Sequence, residues 1–306
     1  MAFARRLFAG ALPDLDRLLN AFVHARIRKR HLCMPPDWYE RPRSFAERNR
    51  RYVEWAVRLA REAAWRCLDA AGASPCDVDA IIFVSSTGVA APSLDARLLN
   101  ELGLRPDAVR IPLWGLGCAG GAMGLSRAFD YAVASPTSRV LLVAVELCSL
   151  TFVPQDRSKR NLIATALFAD GAAAVLVGGD AAAPAQGNPA PHPAIVGRAS
   201  VTWPNTLDMM GWDLTDDGLN VVFSPAIPEL VRRNMPEFAR GFLARFGLTP
   251  QDLRHILAHP GGAKVLDALQ EALGVPPHAL HDAADVLAEY GNVSAATVLF
   301  VLARRL

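Results

Sequence analysis

Apolar and polar positions follow two different periods along this chain, and the change of period separates helices from strands. Helical spacing of apolar residues predicts two short helices in 3–30, a long amphipathic helix at about 46–71, a helix near 93–102 and another ending at about 134. Continuous apolar runs of strand length predict strands at 80–84, 139–146 and 172–178. Because these runs lie between helices, the pattern predicts an α/β fold whose central sheet is covered on both faces.

An internal repeat adds a second level of organisation. The segment Gly72–Ile81 resembles Gly247–Ile256, and the two start 175 positions apart. Each copy follows a long helix and leads into a predicted strand. Cys118 and Asn292, which lie 174 positions apart, each follow a glycine and open a helix rich in small residues. The repeat predicts two copies of one βα unit, with Cys118 and Asn292 at equivalent helix N-termini.

A low-complexity segment at 180–193 separates the two copies. We therefore predict an N-terminal half over 1–180, which carries the nucleophilic cysteine, and a C-terminal half over 194–306. The second half is predicted to begin with a strand at 194–201 that has no counterpart in the first half. By this symmetry the chain is expected to lack one strand at its beginning and two at its end.

Composition narrows the class of protein. The 306 residues are 52% hydrophobic, and 32 basic against 30 acidic residues leave a net charge of +2 that gives no reason to expect a nucleic-acid partner. The apolar runs are far shorter than the ~18 residues that would span a bilayer, and the N-terminus does not resemble a signal peptide. Five cysteines without a CxxC pair indicate no metal site and a reducing, cytoplasmic location.

Cys118 is the candidate nucleophile. A cysteine at the start of a helix meets backbone N–H groups and the positive end of the helix dipole, which favour its thiolate. The surrounding glycines permit a strained turn and a close approach of backbone to substrate; they are Gly115, Gly117, Gly120 and Gly121. The alternative reading is a buried structural cysteine, which the glycine frame disfavours.

His259 and Asn292 are the candidate partners of that nucleophile. His259 lies at the carboxyl end of a predicted strand at 256–258, where α/β folds place their sites, although a lone histidine is often only a core residue. Asn292 could be a simple helix cap, but its symmetry with Cys118 favours function. A thiolate, a neutral imidazole and an amide suit carbon–carbon bond formation from thioesters, because the two donors stabilise an enolate oxygen. No carboxylate is a strong candidate for a base beside them.

Four segments together resemble the type III polyketide synthases, the chalcone-synthase superfamily with the thiolase fold. They are Trp114–Gly121, Ala166–Ala172, His259–Gly262 and Tyr290–Phe300. The resemblance implies a homodimer of five-layer αβαβα subunits, each built from two pseudo-duplicated halves and here missing terminal strands. It also implies that an acyl-CoA starter is loaded on Cys118, and that His259 and Asn292 hold the enolate of decarboxylated malonyl-CoA. The resemblance implies no cofactor beyond these thioester substrates.

Further residues acquire expected roles from their motif positions. Phe168 and Thr151 match gatekeeper and cavity-lining positions, and Ser294 matches a position that supports the site. Val221 and Ala91 are smaller than the large aromatic and the dimer-crossing methionine of plant members, which is consistent with a roomier tunnel. The alanine-rich composition of the chain is the alternative explanation. Segments 145–152 and 210–219 resemble bacterial alkylpyrone or alkylresorcinol synthases, which take long fatty acyl starters.

A short basic stretch is expected to hold the phosphates of CoA, since arginine guanidinium groups suit phosphate. Its members are Arg26, Arg28, Lys29 and Arg30. A solvated charged segment is the alternative.

Two alternative functions stay open at this level. The family's glycine–proline loop near the C-terminus is absent before Leu306, so the chain could be a truncated, non-catalytic remnant that serves at most as a binding or dimerisation protein. A β-ketoacyl-carrier-protein synthase III-like initiator also uses Cys, His and Asn. That class typically has His-Gln-Ala-Asn around its histidine, whereas this chain has His-Pro-Gly-Gly at 259–262.

Overall fold

The computed structural model describes residues 2–182 and 192–306. The helices are α1 (Ala2–Phe8), α2 (Leu15–His24), α3 (Phe45–Ala71), α4 (Leu94–Leu102), α5 (Gly120–Ala134), α6 (Lys159–Leu167), α7 (Ile227–Ala244), α8 (Ala263–Leu273), α9 (His281–Tyr290) and α10 (Thr297–Ala303). The strands are β1 (Ala80–Val84), β2 (Val109–Leu113), β3 (Arg139–Leu147), β4 (Asp170–Gly178), β5 (Met210–Thr215) and β6 (Gly218–Phe223). Most of the predicted linker 180–193 lies outside the described residues.

The described residues form two compact units, and each is built from three separate segments of the chain. The first unit comprises Met1–Arg48, Cys148–Asp170 and Val201–Val293. The second unit comprises Asn49–Leu147, Gly171–Ser200 and Ser294–Leu306. The predicted halves 1–180 and 194–306 describe the duplication of the sequence rather than these units, and they stay a prediction.

The second unit is organised around a sheet with the strand order β2-β1-β3-β4. β1 runs parallel to both neighbours, with Ala80 opposite Val109 on one side and Val140 on the other. All five residues of β1 are buried, as are all of β3 except Arg139. The prediction of continuous apolar strands covered on both faces is therefore confirmed for the two central strands. β2, in contrast, is half exposed at the sheet edge.

Helix α5 packs on this sheet through small residues. A Cβ added at Gly124 would lie 2.6 Å from the side chain of Leu142, and one added at Gly121 would lie 2.2 Å from the carbonyl oxygen of Ala295. Such distances are impossible for real side chains, so α5 can approach β3 and the turn before α10 only because these positions are glycine. This contact brings the start of α5 to the carboxyl edge of the sheet.

The first unit combines a helical layer with a hairpin. α1, α2 and α6 share an apolar cluster in which Phe8 and Leu162 are fully buried and Leu19 is 3% exposed. β5 and β6 pair antiparallel across a two-residue turn, with Thr215 opposite Gly218. This hairpin was not predicted from the sequence.

Two predicted strands of the second half are wrong. Residues 194–201 and 256–258 form no strand in the structure. Among the described residues, strands pair only as β2-β1-β3-β4 and β5-β6, so neither segment has a ladder partner. An extended segment becomes a strand only when neighbours satisfy its backbone N–H and C=O groups, and apolar composition alone does not supply them.

The two copies of the repeat have the same local structure up to the start of the predicted strand in each copy. Gly72 and Gly247 both adopt left-handed φ values, 62° and 69°, at the end of the preceding helix. Ser74 and Thr249 then each form a capping box with the aspartate three residues later and open a short 3-10 turn. These shared turns support the internal repeat, although the second copy continues without the predicted strand.

Candidate active site

Cys118 lies in a 3-10 turn, Gly117–Ala119, that leads directly into α5. Gly117 has φ 51°, a left-handed conformation that favours glycine. Its backbone N–H donates to the hydroxyl of Ser86 at 3.1 Å, which ties the turn to the residues following β1. Among the described residues Cys118 forms no disulfide, and it is half-buried. The position of Cys118 before a helix N-terminus is therefore as predicted.

The four glycines around Cys118 have two different structural roles. Gly115 and Gly117 have positive φ values of 80° and 51°, so they shape the turn as expected. Gly120 and Gly121 instead allow close packing, because a Cβ on Gly120 would lie 2.6 Å from Val84 and one on Gly121 would clash with Ala295. The structure thus assigns the second pair to packing within the protein rather than to an approach of backbone to substrate.

A buried carboxylate, Glu146, lies beside this turn and was not recognised in the sequence. Its Oε2 accepts hydrogen bonds from the N–H of Ser86 at 3.0 Å and from the hydroxyl of Thr87 at 2.9 Å. Ser294, a predicted supporting residue, hydrogen-bonds the same carboxylate. Burial raises the pKa of Glu146 to about 7, although hydrogen bonds from its neighbours oppose the shift. Glu146 is therefore a buried carboxyl group that is tied to the residues around the Cys118 turn.

His259, in the first unit, is positioned by the loop that precedes α8. Both ring nitrogens are buried and have no hydrogen-bond partner among the described residues. Burial lowers the pKa of His259 from 6.5 to about 4, so the imidazole is neutral at pH 7. A buried imidazole without a protein partner is rare, because each unpaired nitrogen costs free energy. The two nitrogens are therefore available to a ligand.

Asn292 is fully buried in the same unit. Its side-chain Nδ2 donates to the carbonyl of Gly261 at 3.1 Å, and the N–H of Gly261 donates to the carbonyl of His259 at 3.0 Å. The backbone N–H of Asn292 donates to the carbonyl of Leu167, and its carbonyl accepts from the N–H of Ala169, both at 2.9 Å. These two bonds form an isolated parallel bridge between Asn292 and Phe168. The structure thus brings His259 and Asn292 into one hydrogen-bonded frame. Their meeting with Cys118 stays a prediction.

The first unit also contains a cavity of about 190 Å³. Three predicted tunnel residues line it, namely Thr151, Phe168 and Val221. Phe168 is the residue bridged to Asn292, and its ring lies 6.5 Å from the ring of Trp212, which lines the same wall. The lining is largely apolar, so the cavity fits an aliphatic or aromatic group.

The remaining predicted tunnel residues lie elsewhere. Ser294 is buried beside Glu146 in the second unit, with a left-handed φ of 46°. Ala91 is an exposed loop residue of the same unit, between Val89 and the start of α4. The cavity therefore gathers Thr151, Phe168 and Val221 but contains neither Ser294 nor Ala91.

The four basic residues differ in their surroundings. Arg30 is half-buried and donates to the carbonyls of Thr165 and Phe168, so its guanidinium caps the end of α6 and also lines the cavity. Arg26 pairs with Asp267 at 3.1 Å. Arg28 lies 3.9 Å from Glu289, and Lys29 is exposed. Their binding of CoA stays a prediction.

A polar network supports one side of the cavity. Asp170, which is 5% exposed, accepts from the backbone N–H groups of Cys33 and Ser149, both at 2.8 Å, and from the Ser149 hydroxyl at 2.5 Å. The hydroxyl of Tyr39 lies 2.7 Å from that of Ser149. Burial raises the pKa of Asp170. The burial of the Cys33 thiol and the negative charge of Asp170 together raise the pKa of that thiol. Cys33 is therefore a protonated structural thiol.

Sequence reasoning missed Glu146, Trp212 and this network. A signal was present for Glu146, since a carboxylate at the end of an otherwise apolar strand requires a buried partner. For Trp212 the only signal was indirect: Asp217-Gly218 indicates a hairpin in this region, although the structure has the two-residue turn one position earlier, at 216–217.

Sequence models of the family "Chalcone and stilbene synthases" match this chain over most of its length. The N-terminal domain model matches residues 25–181 and the C-terminal domain model matches residues 195–305. The chain belongs to the chalcone and stilbene synthase family. Members of this family are the type III polyketide synthases, and the resemblance drawn from the four motifs is confirmed.

Relatives of known name agree with this assignment. The chain is 44% identical to a putative chalcone synthase of Bacillus subtilis over 98% of its own length and 84% of the relative's. It is 43% identical to a 1,3,6,8-tetrahydroxynaphthalene synthase of Streptomyces peucetius over 95% of its own length and 76% of the relative's. The crystal structure of the tetrahydroxynaphthalene synthase from Streptomyces coelicolor superposes with a TM-score of 0.91, at 32% identity, and covers 99% of this chain and 84% of that one. The predicted thiolase-like α/β fold is thereby confirmed.

The described residues contain neither a membrane-spanning helix nor a cluster of metal ligands. No described helix is long and apolar enough to cross a membrane. Across residues 2–182 and 192–306, no three His, Cys, Asp or Glu side chains are grouped as a metal site would need.

Proposed function

We propose that this type III polyketide synthase condenses malonyl-CoA with an acyl-CoA starter held on Cys118. The observation that carries the proposal is the imidazole of His259, which is buried, neutral at pH 7 and without a partner among the described residues, in a loop fixed by Asn292. A neutral imidazole donates a hydrogen bond to a developing oxyanion and, unlike an imidazolium, loses little by burial.

The proposed reaction has two stages. The Cys118 thiolate attacks the carbonyl carbon of the starter thioester, and CoA leaves as a thiol after taking up a proton. Malonyl-CoA then loses carbon dioxide, and the electron pair of the broken C–C bond forms a thioester enolate whose oxygen accepts hydrogen bonds from His259 and Asn292. The enolate carbon attacks the acyl carbon on Cys118, which expels the thiolate and lengthens the chain by two carbons. Decarboxylation supplies the carbanion, so no general base is needed.

For the starter, we propose a fatty acyl group, and for the products alkylpyrones or alkylresorcinols. The support is the apolar lining of the cavity and the small side chain of Val221, which leave space for an aliphatic chain. A polyhydroxynaphthalene is the second candidate product, supported by the names of relatives that are 43% and 33% identical. The proposed reaction needs no cofactor beyond its two thioester substrates. We also propose a cytoplasmic location, for which the sequence pattern of five cysteines without a CxxC pair is the support.

We also propose that the enzyme acts as a homodimer. The support lies in the second unit, where Val109 on the edge strand β2 is 43% exposed and Trp114 is 56% exposed. Val89 is 42% exposed and lines the same pocket as Trp114. It lies two residues before the predicted dimer position Ala91. An apolar surface beside an unpaired strand edge is the kind of surface that a second copy covers. Light scattering after size-exclusion chromatography tests this proposal, and a monomer at micromolar concentration contradicts it.

The decisive experiment incubates the purified protein with malonyl-CoA and saturated acyl-CoAs of graded length, followed by mass spectrometry of the products. Pyrones or resorcinols whose mass tracks the starter support the proposal. A naphthalene formed from malonyl-CoA alone supports the second candidate. Condensation only with an acyl-carrier-protein substrate indicates an initiator of the synthase III type, and no product with any substrate indicates a non-catalytic remnant. Cys118→Ala serves as the matched negative control.

A further inference from the structure

Helix α1 contributes one side chain to the cavity. Among the described residues before 25, where the match to the family model begins, only Phe3 lines it. Its ring lies 6.2 Å from the ring of Phe152, at an interplanar angle of 59°. Phe152 follows Thr151 directly and lines the cavity with it. Phe3 thus completes an aromatic wall from a segment outside the matched family region.

The helix that carries Phe3 is held firmly against the cavity wall. Ala4 and Phe8 are 1% and 0% exposed and pack in the apolar cluster with Leu162 of α6. Helix α6 in turn supplies Ala164 and Thr165 to the cavity. Since the buried cluster fixes the rotation of α1 about its axis, it also fixes the direction of Phe3.

Ion pairs join the same helix to its other neighbours. Arg5 pairs with Asp16 of α2, and Arg6 pairs with Glu40 at 2.5 Å. Glu40 ends a 3-10 turn, Pro36–Glu40, whose Pro36 and Tyr39 also line the cavity. One flank of α1 is therefore connected through Glu40 to an element of the cavity wall, and the other flank is connected to α2.

We propose that Phe3 determines starter specificity, because its ring closes the α1 side of the cavity and limits the length of the acyl chain that fits. The proposal rests on the proposed function, since it assigns this cavity to the acyl group of the starter. Apolar pockets discriminate by size: one methylene more or less changes the specificity constant by about 10–200-fold. A ring that either occupies or vacates the end of the cavity acts in that range.

The test compares Phe3→Ala and Phe3→Trp with the unmodified protein. We expect Phe3→Ala to raise the ratio of kcat/KM for long over medium acyl-CoA starters by at least about tenfold, and Phe3→Trp to lower it. Leu7→Ala is the matched control, because Leu7 packs on the apolar cluster from the same helix and does not line the cavity. Its ratio should equal that of the unmodified protein. An unchanged ratio in both Phe3 variants, or the same change in Leu7→Ala, overturns the proposal.

A binding measurement separates this inference from the proposed function. Unreactive S-alkyl-CoA thioethers with medium and long chains are titrated into each variant by calorimetry. Phe3→Ala should favour the long chain and Phe3→Trp the medium one, whether or not the protein turns over. If the affinities shift as expected but the unmodified protein does not condense acyl-CoA with malonyl-CoA, the proposed function alone is refuted. Unshifted affinities in an active enzyme would refute the role of Phe3 alone.

Discussion

Replacing His259 with leucine separates the effect of the imidazole on catalysis from its effect on stability. Leucine fills a similar volume without nitrogen atoms. Both nitrogens of His259 are buried and without a partner among the described residues, and leaving a buried polar group unpaired costs about 1–3 kcal/mol. We therefore expect the free energy of unfolding of His259→Leu to equal or exceed that of the unmodified protein at pH 7. Most substitutions of buried residues have the opposite effect.

The pH dependence of the same difference gives an independent measure. The pKa of His259 is about 4 in the folded protein and 6.5 in the reference state. Between these values the unfolded chain binds a proton that the folded protein does not, so stability falls as the pH drops from about 6.5 to about 4. At about 1.4 kcal/mol per pKa unit, the loss is roughly 3 kcal/mol. His259→Leu lacks this loss, so its advantage should grow by that amount over the same window.

Catalysis should change in the other direction. If the imidazole donates to the enolate oxygen, its removal should lower kcat for malonyl-CoA decarboxylation by about 10²–10³-fold, the usual cost of one oxyanion donor. Loading of the starter on Cys118 should persist, though more slowly.

Chemical denaturation at several pH values, release of labelled carbon dioxide and intact-protein mass spectrometry measure the three quantities. Two results would refute the reasoning. Undiminished carbon dioxide release would remove His259 from the reaction, and a loss of more than about 2 kcal/mol at pH 7 would show that the imidazole has a stabilising partner.

Three further predictions concern the other parts of the site. Cys118→Ala should abolish the acyl-enzyme adduct while it leaves the oligomeric state unchanged; an adduct on this variant, seen by mass spectrometry, would contradict the assignment. Glu146→Gln should gain stability relative to the unmodified protein as the pH rises from about 4.5 to about 7, because the pKa of the carboxyl is about 7 in the folded protein and 4.5 in the unfolded chain. A stability difference between the two proteins that stays constant over this pH range, measured by chemical denaturation, would contradict this prediction. Val221→Phe should lower kcat/KM for long starters by at least about tenfold and spare short ones, which product analysis across starter lengths would show.

The elements predicted correctly are those whose residues carry a strong local pattern. β1 and β3 are buried on both faces, and a strand in that position has a continuous apolar sequence that is visible without the structure. The β5–β6 hairpin is largely exposed, so its pattern is weak and only its turn residues indicate it. The predicted strand at 194–201 failed for the converse reason: its sequence fits a strand, but strand formation depends on neighbours that no local pattern reveals.

The residues of the candidate site also differ in how far a local sequence pattern reveals them. Cys118 and Gly117 are recognisable because a strained turn before a helix requires glycine. Glu146 is different, since its partners Ser86 and Thr87 lie about sixty positions away in the sequence. They become neighbours because β1 and β3 are parallel, with Val84 opposite Ala144, so that both strands end at the same edge. Only the topology brings these groups together.

The bridge between Phe168 and Asn292 has a practical consequence for redesign. The backbone of Asn292 holds Leu167 and Ala169 on either side of Phe168, and the Phe168 ring forms part of the cavity wall. A substitution that enlarges the cavity at position 168 changes a side chain whose two backbone neighbours hold Asn292, so we expect selectivity and turnover to change together there. Val221 has no such backbone tie to that asparagine among the hydrogen bonds of the described residues. Libraries meant to alter chain length at constant rate should therefore begin at 221.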